Sequence, residues 1–321
     1  MGKVKKIKEI IVVVTTILVF HSFVDAQSYL SSEINVWIGG GSSALKYQID
    51  KNESKSAFGL QLGAGYSKYF NKTFGVSIGL EIEMLGSSFE KRIDSLVYDI
   101  KPPQGLPEES IFKFKAFYNN FEEKQTAVLL QIPVMLNFQF PVSDNGLLFL
   151  GTGIKAGIPV SSKWNQNTGK LTTTAYSDFT NQTYSDIPNH GFSTLHNLSK
   201  SDKLELKSPV FLCLEGGYKF GIEGGKYLYV GAFLDYGLND IYKATTFKRM
   251  LEYKDATPGN FEYSSILATE QFSVADGIKP FAAGVKIKLG IGGGKEMLKT
   301  PRLVKESSSL KLAKPEPVWG W

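Results

Sequence analysis

Apolar residues occupy every second position over long stretches of the chain, and this spacing restricts those stretches to β-strands. In residues 74–84, phenylalanine, valine, isoleucine, leucine and methionine fill one parity, whereas glycine, serine and glutamate fill the other. A period of two places successive side chains on opposite faces of an extended strand. The pattern therefore predicts eight strands and no long helix. Seven more segments alternate in the same way: Ile34–Gly41, Phe58–Phe70, Thr126–Phe140, Leu148–Val160, Val210–Phe220, Leu228–Leu238 and Phe281–Ile291.

The connections between these strands alternate in length, which separates a membrane barrel from a soluble β-sandwich. Tight turns join strands at Asn71-Lys72, Ser143–Gly146 and Glu223–Lys226. A sandwich has no reason to sort its connections, whereas a barrel inserted from one side keeps its short turns in the periplasm. We therefore expect an all-β fold, an eight-stranded antiparallel up-and-down transmembrane β-barrel with long extracellular loops. The long connections are Ser43–Ser56, Lys91–Glu122, Ser161–Lys207 and Asn239–Ala275.

The less apolar parity of the strands is rich in glycine and charge, as a narrow lumen requires. Side chains about fill the interior of an eight-stranded barrel, so charges there must pair with one another. We predict structural ion pairs that lock the barrel, with an ion gate or a proton-coupled carboxylate site as the alternative. The charges on the inward parity are Glu81, Glu83, Lys155, Glu215, Lys219, Asp235, Lys286 and Lys288.

The first 26 residues have the parts of a secretory signal peptide. Four lysines precede a largely apolar run of eleven residues, Ile10–Phe20, and small residues before Gln27 predict cleavage after Ala26. The apolar run is shorter than the ~18 residues of a spanning helix, which argues against an N-terminal anchor. We expect a signal peptide over 1–26, a barrel over 27–291 and a disordered basic periplasmic tail over 292–321.

Composition excludes several other classes of protein. A mean hydropathy of −0.10 argues against a bundle of transmembrane helices, and a single cysteine excludes a disulfide scaffold and Cys-rich metal sites. The net charge of +5 comes from the ends, because residues 27–291 hold 26 basic and 26 acidic side chains. No nucleic-acid partner, cofactor or metal is predicted.

A few other residues are candidates for chemistry. His190 and His196 fall in the third long connection near two aspartates, Asp186 and Asp202, but their spacing matches no zinc signature. Cys213 lies on the inward parity, where it is expected to pack as a small side chain. Ser95 follows an aspartate and precedes a leucine, a short pattern that resembles the O-glycosylation acceptor of Bacteroidota.

Three segments resemble the outer-membrane barrels of the OmpA-like and PorT-like type found in Bacteroidota. They are Leu130-Gln131-Ile132-Pro133-Val134, the segment 151–161 that follows its turn, and Asp235-Tyr236-Gly237-Leu238-Asn239-Asp240. The resemblance covers about residues 33–291 and implies an eight-stranded barrel. Many members carry a C-terminal peptidoglycan-binding domain, and the thirty residues from 292 to 321 are too few for one. Pro133 removes one ladder donor and predicts a bulge or a weak point in its strand.

These observations predict a protein of the outer membrane of a Gram-negative bacterium, with a structural or surface-interaction role. We expect its partners to be outer-membrane lipid and a surface ligand or protein bound by the long loops, which carry many aromatic residues. A small passive pore is the first alternative. An outer-leaflet enzyme, a lipid hydrolase or a protease, is the second, although we expect no enzyme.

Overall fold

The computed structural model describes residues 31–49, 52–100, 111–143, 145–222, 224–243, 248–253, 260–269, 272 and 274–292. The predicted signal peptide and nearly all of the predicted tail lie outside these residues. No helix in the described part is long and apolar enough to cross a membrane.

Eight long strands of the described part join into a closed ring through antiparallel ladders. The eight strands are β1 (Ser31–Ile49), β3 (Lys55–Tyr69), β4 (Phe74–Ile100), β5 (Phe112–Ser143), β6 (Gly146–Ser177), β9 (Val210–Ile222), β10 (Lys226–Gly237) and β13 (Val274–Gly292). The ring order is β13-β10-β9-β6-β5-β4-β3-β1, and β1 closes it by pairing with β13. Each strand pairs with its neighbours along the chain, so the predicted all-β antiparallel fold is confirmed.

The three short turns lie at one end of the ring, together with Ser31 and Gly292. The carbonyl of the Asn71 side chain accepts hydrogen bonds from the backbone N–H of Thr73 and Phe74, at 2.8 and 2.7 Å, and so closes the turn before β4. The turn before β10 places Gly224 and Gly225 at φ of 81° and 73°, a region that favours glycine. Local turn chemistry thus sets the register of each hairpin at this end.

The outward face of the ring carries an apolar band. Alternate large apolar side chains point away from the interior and are about half exposed, and contiguous apolar surface of this extent needs an apolar surrounding. On β5 the band ends at Val128, and on β6 it ends at Val160. Its members include Ile34, Ile38, Leu62, Leu80, Ile82, Val134, Leu136, Leu150, Ile154, Leu214, Val230, Val285 and Ile287.

Three strands continue far beyond the band, which corrects the prediction of loops over Lys91–Glu122 and Ser161–Lys207. β4, β5 and β6 remain paired out to Ile100, Phe112 and Ser177. Beyond them, β8 (Thr194–Lys203) and β7 (Gln182–Tyr184) also pair with β6. The alternation persists here, but the outward positions no longer carry the apolar band. Lysine and threonine take these positions, so the segments resemble polar loops in the sequence. We call this paired region the outer sheet.

Of the two effects predicted for Pro133, the ladder shows a weak point and not a bulge. The partners Ile78 with Val134 and Glu81 with Gln131 keep the same register on either side of it. The ladder to β4 only skips the intervening pairs, since proline has no N–H to donate. Towards β6 the ladder continues, and Pro133 lies opposite Lys155.

A short hairpin and a 3-10 helix lie against the inner face of the outer sheet. The hairpin pairs β11 (Leu251–Tyr253) with β12 (Phe261–Tyr263), and the helix spans Ile266–Ala268. We call these three elements the cap. The strand β2 (Asn52–Glu53) and a second 3-10 helix, Pro188–His190, are the remaining short elements.

Candidate functional site

The centre of the lumen holds a lysine between two carboxylates. Lys155 Nζ lies 2.6 Å from Glu81 Oε1 and 2.7 Å from Asp235 Oδ2, and all three side chains are at most 3% exposed. Gln61 donates to Asp235 at 2.6 Å and to Glu83 at 2.7 Å, and Gln131 donates to Glu83 at 2.7 Å. Since β3, β4, β5, β6 and β10 all contribute, this layer joins five strands across the lumen.

A second layer lies directly against the first. Glu215 on β9 accepts from Lys288 Nζ at 2.7 Å and faces Lys286 Nζ at 3.4 Å. Lys286 also lies 3.9 Å from Glu81, and the indole N–H of Trp37 donates to Glu81 at 2.6 Å. The structure therefore brings seven of the eight predicted lumen charges into one connected network.

Glycines leave the space that Trp37 occupies in this layer. A Cβ atom added at Gly63 would lie 2.4 Å from the indole, and one added at Gly79 would lie 2.6 Å from it. Cβ atoms essentially never come this close to other atoms, so the indole of Trp37 requires glycine at both of these inward positions.

The eighth predicted charge, Lys219, belongs to a separate cluster near the short turns. Its Nζ lies 2.5 Å from Glu33 Oε1, and both side chains are fully buried. Tyr229 donates its hydroxyl to the other oxygen of Glu33. Lys219 Nζ also lies 4.1 Å from the ring centroid of Tyr227 and 5.1 Å from that of Tyr69, so aromatic faces surround the cation.

This cluster contains aromatic side chains and a carboxylate that were not predicted to lie in the lumen. Tyr69, Tyr227 and Tyr229 lie beside the short turns, but each is only 3% exposed and points into the lumen rather than outward. Glu33 was missed, although its parity with Asn35 and Trp37 marks the inward face of β1. Phe70, Phe140 and Phe220 do lie outside, at 42–50% exposure.

Little open space remains inside the ring. A cavity of about 30 Å³ lies beside Trp37, Glu81 and Lys288, enough for one or two water molecules. Above the charged layers, a buried apolar cluster runs without a break from Cys213 and Phe233 to the outer sheet and the cap. The lumen is thus filled first by ion pairs and then by apolar side chains.

A buried carboxylate joins the cap to the outer sheet. Glu123 on β5 is fully buried and accepts four hydrogen bonds. The Nε2 atoms of Gln125 and Gln166 donate at 2.9 and 2.8 Å, and Ser265 Oγ and the Ile266 backbone N–H donate from the cap at 2.5 and 2.8 Å. Burial raises the pKa of Glu123 above its ordinary value, and these hydrogen bonds oppose that rise. Glu123 lies between the predicted loop, which ends at Glu122, and the predicted strand, which begins at Thr126, and the sequence gives no signal for its role.

The remaining candidates do not converge on one site. His190 and His196 are exposed, and within the described part neither bonds to a carboxylate or a hydroxyl; His196 lies opposite Lys170. Cys213 is buried, as its parity predicts. Ser95 is exposed on the outward side of β4.

In the described part, one group of three carboxylates has the spacing of a metal site, formed by Glu81, Glu83 and Asp235. Lys155 occupies the space between two of them, so the residues present fit an internal cation better than a metal ion.

The match to one protein-family model agrees with a β-barrel. A family model described as an outer membrane protein beta-barrel domain matches residues 25–243. No curated protein matches the chain. Among solved structures, the Yersinia pestis attachment invasion locus protein Ail in complex with the heparin analogue sucrose octasulfate is 14% identical, with a TM-score of 0.25, over 82% of this chain and 97% of that one. A structure of the same protein described without that ligand is 13% identical, with a TM-score of 0.21, over 83% and 98% of the two chains.

Proposed function

Because the chain belongs to the family of outer membrane protein beta-barrel domains, we propose that it is a non-conducting outer-membrane barrel that binds a partner at the cell surface. In this assignment the short turns face the periplasm, and the outer sheet and the cap project outside. The observation that carries it is a sheet that continues beyond the lipid-facing band and shares one buried aromatic core with the cap. A barrel that only spanned the membrane would not need such an extension.

The outer sheet offers apolar side chains that lipid does not reach. Val97 on β4 and Phe117 on β5 point outward and are 48% and 40% exposed. Ile111 and Phe179, at the far end of the sheet, are 46% and 74% exposed. Exposed apolar groups gathered at one end of a water-facing sheet are typical of a contact surface for another protein.

The orientation can be tested with cysteine labelling, since the chain's own Cys213 is buried. We expect Phe179→Cys to react with a membrane-impermeant maleimide on intact cells, because this side chain lies at the far end of the outer sheet. Lys72→Cys, in the turn before β4, should react only after the outer membrane is permeabilised. The opposite labelling pattern would reverse the orientation.

The filled lumen predicts a barrel that does not conduct. Ion pairs, a water-sized cavity and an apolar layer leave no continuous aqueous path through the ring that the described residues form. Planar bilayers containing the purified protein should therefore show no single-channel steps. Reproducible steps that scale with the amount of folded protein would favour the pore instead. The folded state is checked by migration in SDS, which should change after boiling.

A further inference from the structure

Lysines gather around the ring at the level where the outward apolar band ends on the side of the outer sheet. On β1 the outward row continues beyond Ile38 to Lys46, and on β6 it continues beyond Val160 to Lys163. We call this level the rim. The other exposed lysines near it are Lys55, Lys124, Lys203, Lys207, Lys243 and Lys279.

Two pairs of these lysines face each other across neighbouring strands. Lys46 on β1 is the direct partner of Lys279 on β13, and Lys163 on β6 is the direct partner of Lys203 on β8. Like charges at directly opposed positions destabilise a sheet. All four side chains are exposed, and none makes an ion pair within the part of the chain that the structure describes. Lys46 Nζ instead lies 4.0 Å from the ring centroid of Phe281, beneath which the apolar band begins.

Three other rim lysines are neutralised by carboxylates of the protein itself. Lys55 lies 2.6 Å from Glu90, and Lys124 lies 3.0 Å from Glu122. Lys243 lies 2.5 Å from Glu205. The two facing pairs therefore differ from these three lysines, because each of the three has a carboxylate partner and the pairs have none in the described part of the chain.

The two pairs lie on opposite sides of the ring. From β1 to β6 the ring passes through β3, β4 and β5, and from β13 to β6 it passes through β10 and β9. Lys55 and Lys124, which have carboxylate partners, lie between them on one side and Lys243 on the other, so the basic charge forms two separate spots. Separate spots match small anionic groups better than a long polyanion, which would need a continuous basic surface.

We propose that each facing lysine pair, Lys46 with Lys279 and Lys163 with Lys203, binds a phosphate group on the headgroup of a lipid in the outer leaflet. A phosphate monoester, such as those of lipid A, carries more than one negative charge and three acceptor oxygens, so it can bridge two ammonium groups, whereas the phosphodiester of phosphatidylcholine carries only one charge. The flexible lysine stems cover apolar surface while their charged ends reach the headgroup level. The inference rests on the outer-membrane placement proposed above and not on the identity of a surface protein.

The test compares unfolding of the full-length protein in two kinds of bilayer. The variants Lys46→Gln/Lys279→Gln and Lys163→Gln/Lys203→Gln are each placed in phosphatidylcholine vesicles, with and without bisphosphorylated lipid A. Without lipid A, each variant should unfold at a higher temperature than the wild type, because the repulsion is gone. With lipid A the order should reverse, since only the wild type retains the bridging anion. Binding of labelled lipid A should weaken about 5-fold for each lysine removed.

The matched control is Lys55→Gln/Lys124→Gln, which removes the same charge from lysines that already have carboxylate partners. It should leave lipid A binding within about 2-fold of the wild type, because those ammonium groups are already neutralised. Lysine-to-arginine versions of the two pairs keep the charge and should retain binding, which separates a folding defect from loss of the site.

Several outcomes would overturn the proposal. Equal loss of binding in the control variant would mean that net charge alone causes the effect. Equal binding of dephosphorylated lipid A would mean that the lysine pairs do not recognise the phosphate. Inorganic phosphate that restores stability at millimolar concentration would point to a free anion. Loss of heparin binding with unchanged lipid A binding would assign the pairs to a sulfated glycan. Each of these can occur while the labelling and conductance results above still hold.

Discussion

Replacing Lys155 by methionine should lower the free energy of unfolding by about 3–5 kcal/mol, because it leaves buried carboxylates without their cation. The oxygens of Glu81, Glu83 and Asp235 lie within 4.8 Å of one another, and Lys155 is in contact with two of these carboxylates. Methionine preserves most of the volume, so the loss reports charge rather than a cavity. Urea unfolding in phosphatidylcholine vesicles, followed by tryptophan fluorescence, measures it.

Two further variants separate this effect from a general loss of lysine. Lys170→Met changes an exposed side chain on the same strand and should alter stability by less than about 0.5 kcal/mol. Adding Glu81→Gln and Asp235→Asn to Lys155→Met removes the uncompensated charge and should recover most of the lost stability. A stable Lys155→Met protein would mean that the carboxylates are protonated or hydrated, and the lumen would then not be locked by ion pairs.

Replacing Glu123 by alanine should release the cap while the ring stays intact. Four donors would lose their acceptor, and one buried unsatisfied donor costs ~1–3 kcal/mol. Opening of the cap relieves this cost by exposing the donors to water. We therefore expect the opening free energy to fall by about 3 kcal/mol, which corresponds to roughly 100-fold faster amide exchange in residues 260–269. Exchange measured by mass spectrometry follows this segment directly.

The neighbouring glutamate supplies the control for this variant. Glu122→Ala changes the preceding residue on β5, whose carboxylate pairs with Lys124 on the outward side. Cap exchange should stay near the wild-type rate, and both variants should keep the heat-dependent migration of the folded ring. If cap exchange in Glu123→Ala also stays unchanged, the apolar contacts of Leu251, Phe261 and Ile266 hold the cap without the carboxylate.

The raised pKa of Glu123 also gives cap docking a dependence on pH. The docked state binds its proton more tightly than the open state, so docking is strongest below the ordinary pKa and weakens as pH rises through the docked-state pKa. Because the Gln side chain does not titrate, Glu123→Gln should abolish that part of the pH dependence. Protease sensitivity of the cap between pH 4 and pH 8 reports the change.

How far the sequence predicts this fold depends on whether a residue's surroundings repeat along a strand. Inside the band, lipid on one side and a crowded lumen on the other impose a strict period of two, which predicts the inward positions of Lys155, Glu215 and Lys288. Above the band, the outward side of β5 faces water and its inward side packs against the cap. Its outward positions therefore become lysine and asparagine. The same strand then looks like a loop. Its alternation of Phe112, Phe114 and Ala116 was nonetheless present in the sequence.

Partners of buried charges are harder to predict, because they depend on register and depth together. Lys219 and Glu33 lie on strands that are distant in the chain and do not pair with each other. Their contact crosses the lumen, and no local pattern encodes it. Glu123 has the same difficulty, since its donors Ser265 and Ile266 arrive from a segment about 140 residues away.

The closure of the ring by β1 and β13 has a consequence for how the protein assembles. One edge of β1 pairs with β3, but the other edge finds its partners only in β13, the last described strand, so it stays open until nearly all of the chain is available. An open strand edge invites pairing with other chains. Such distant pairings also slow folding, because the chain between the two strands loses conformational entropy before the stabilising contacts form. Ring closure is therefore the step at which an assembly factor that shields strand edges would have the greatest effect on yield.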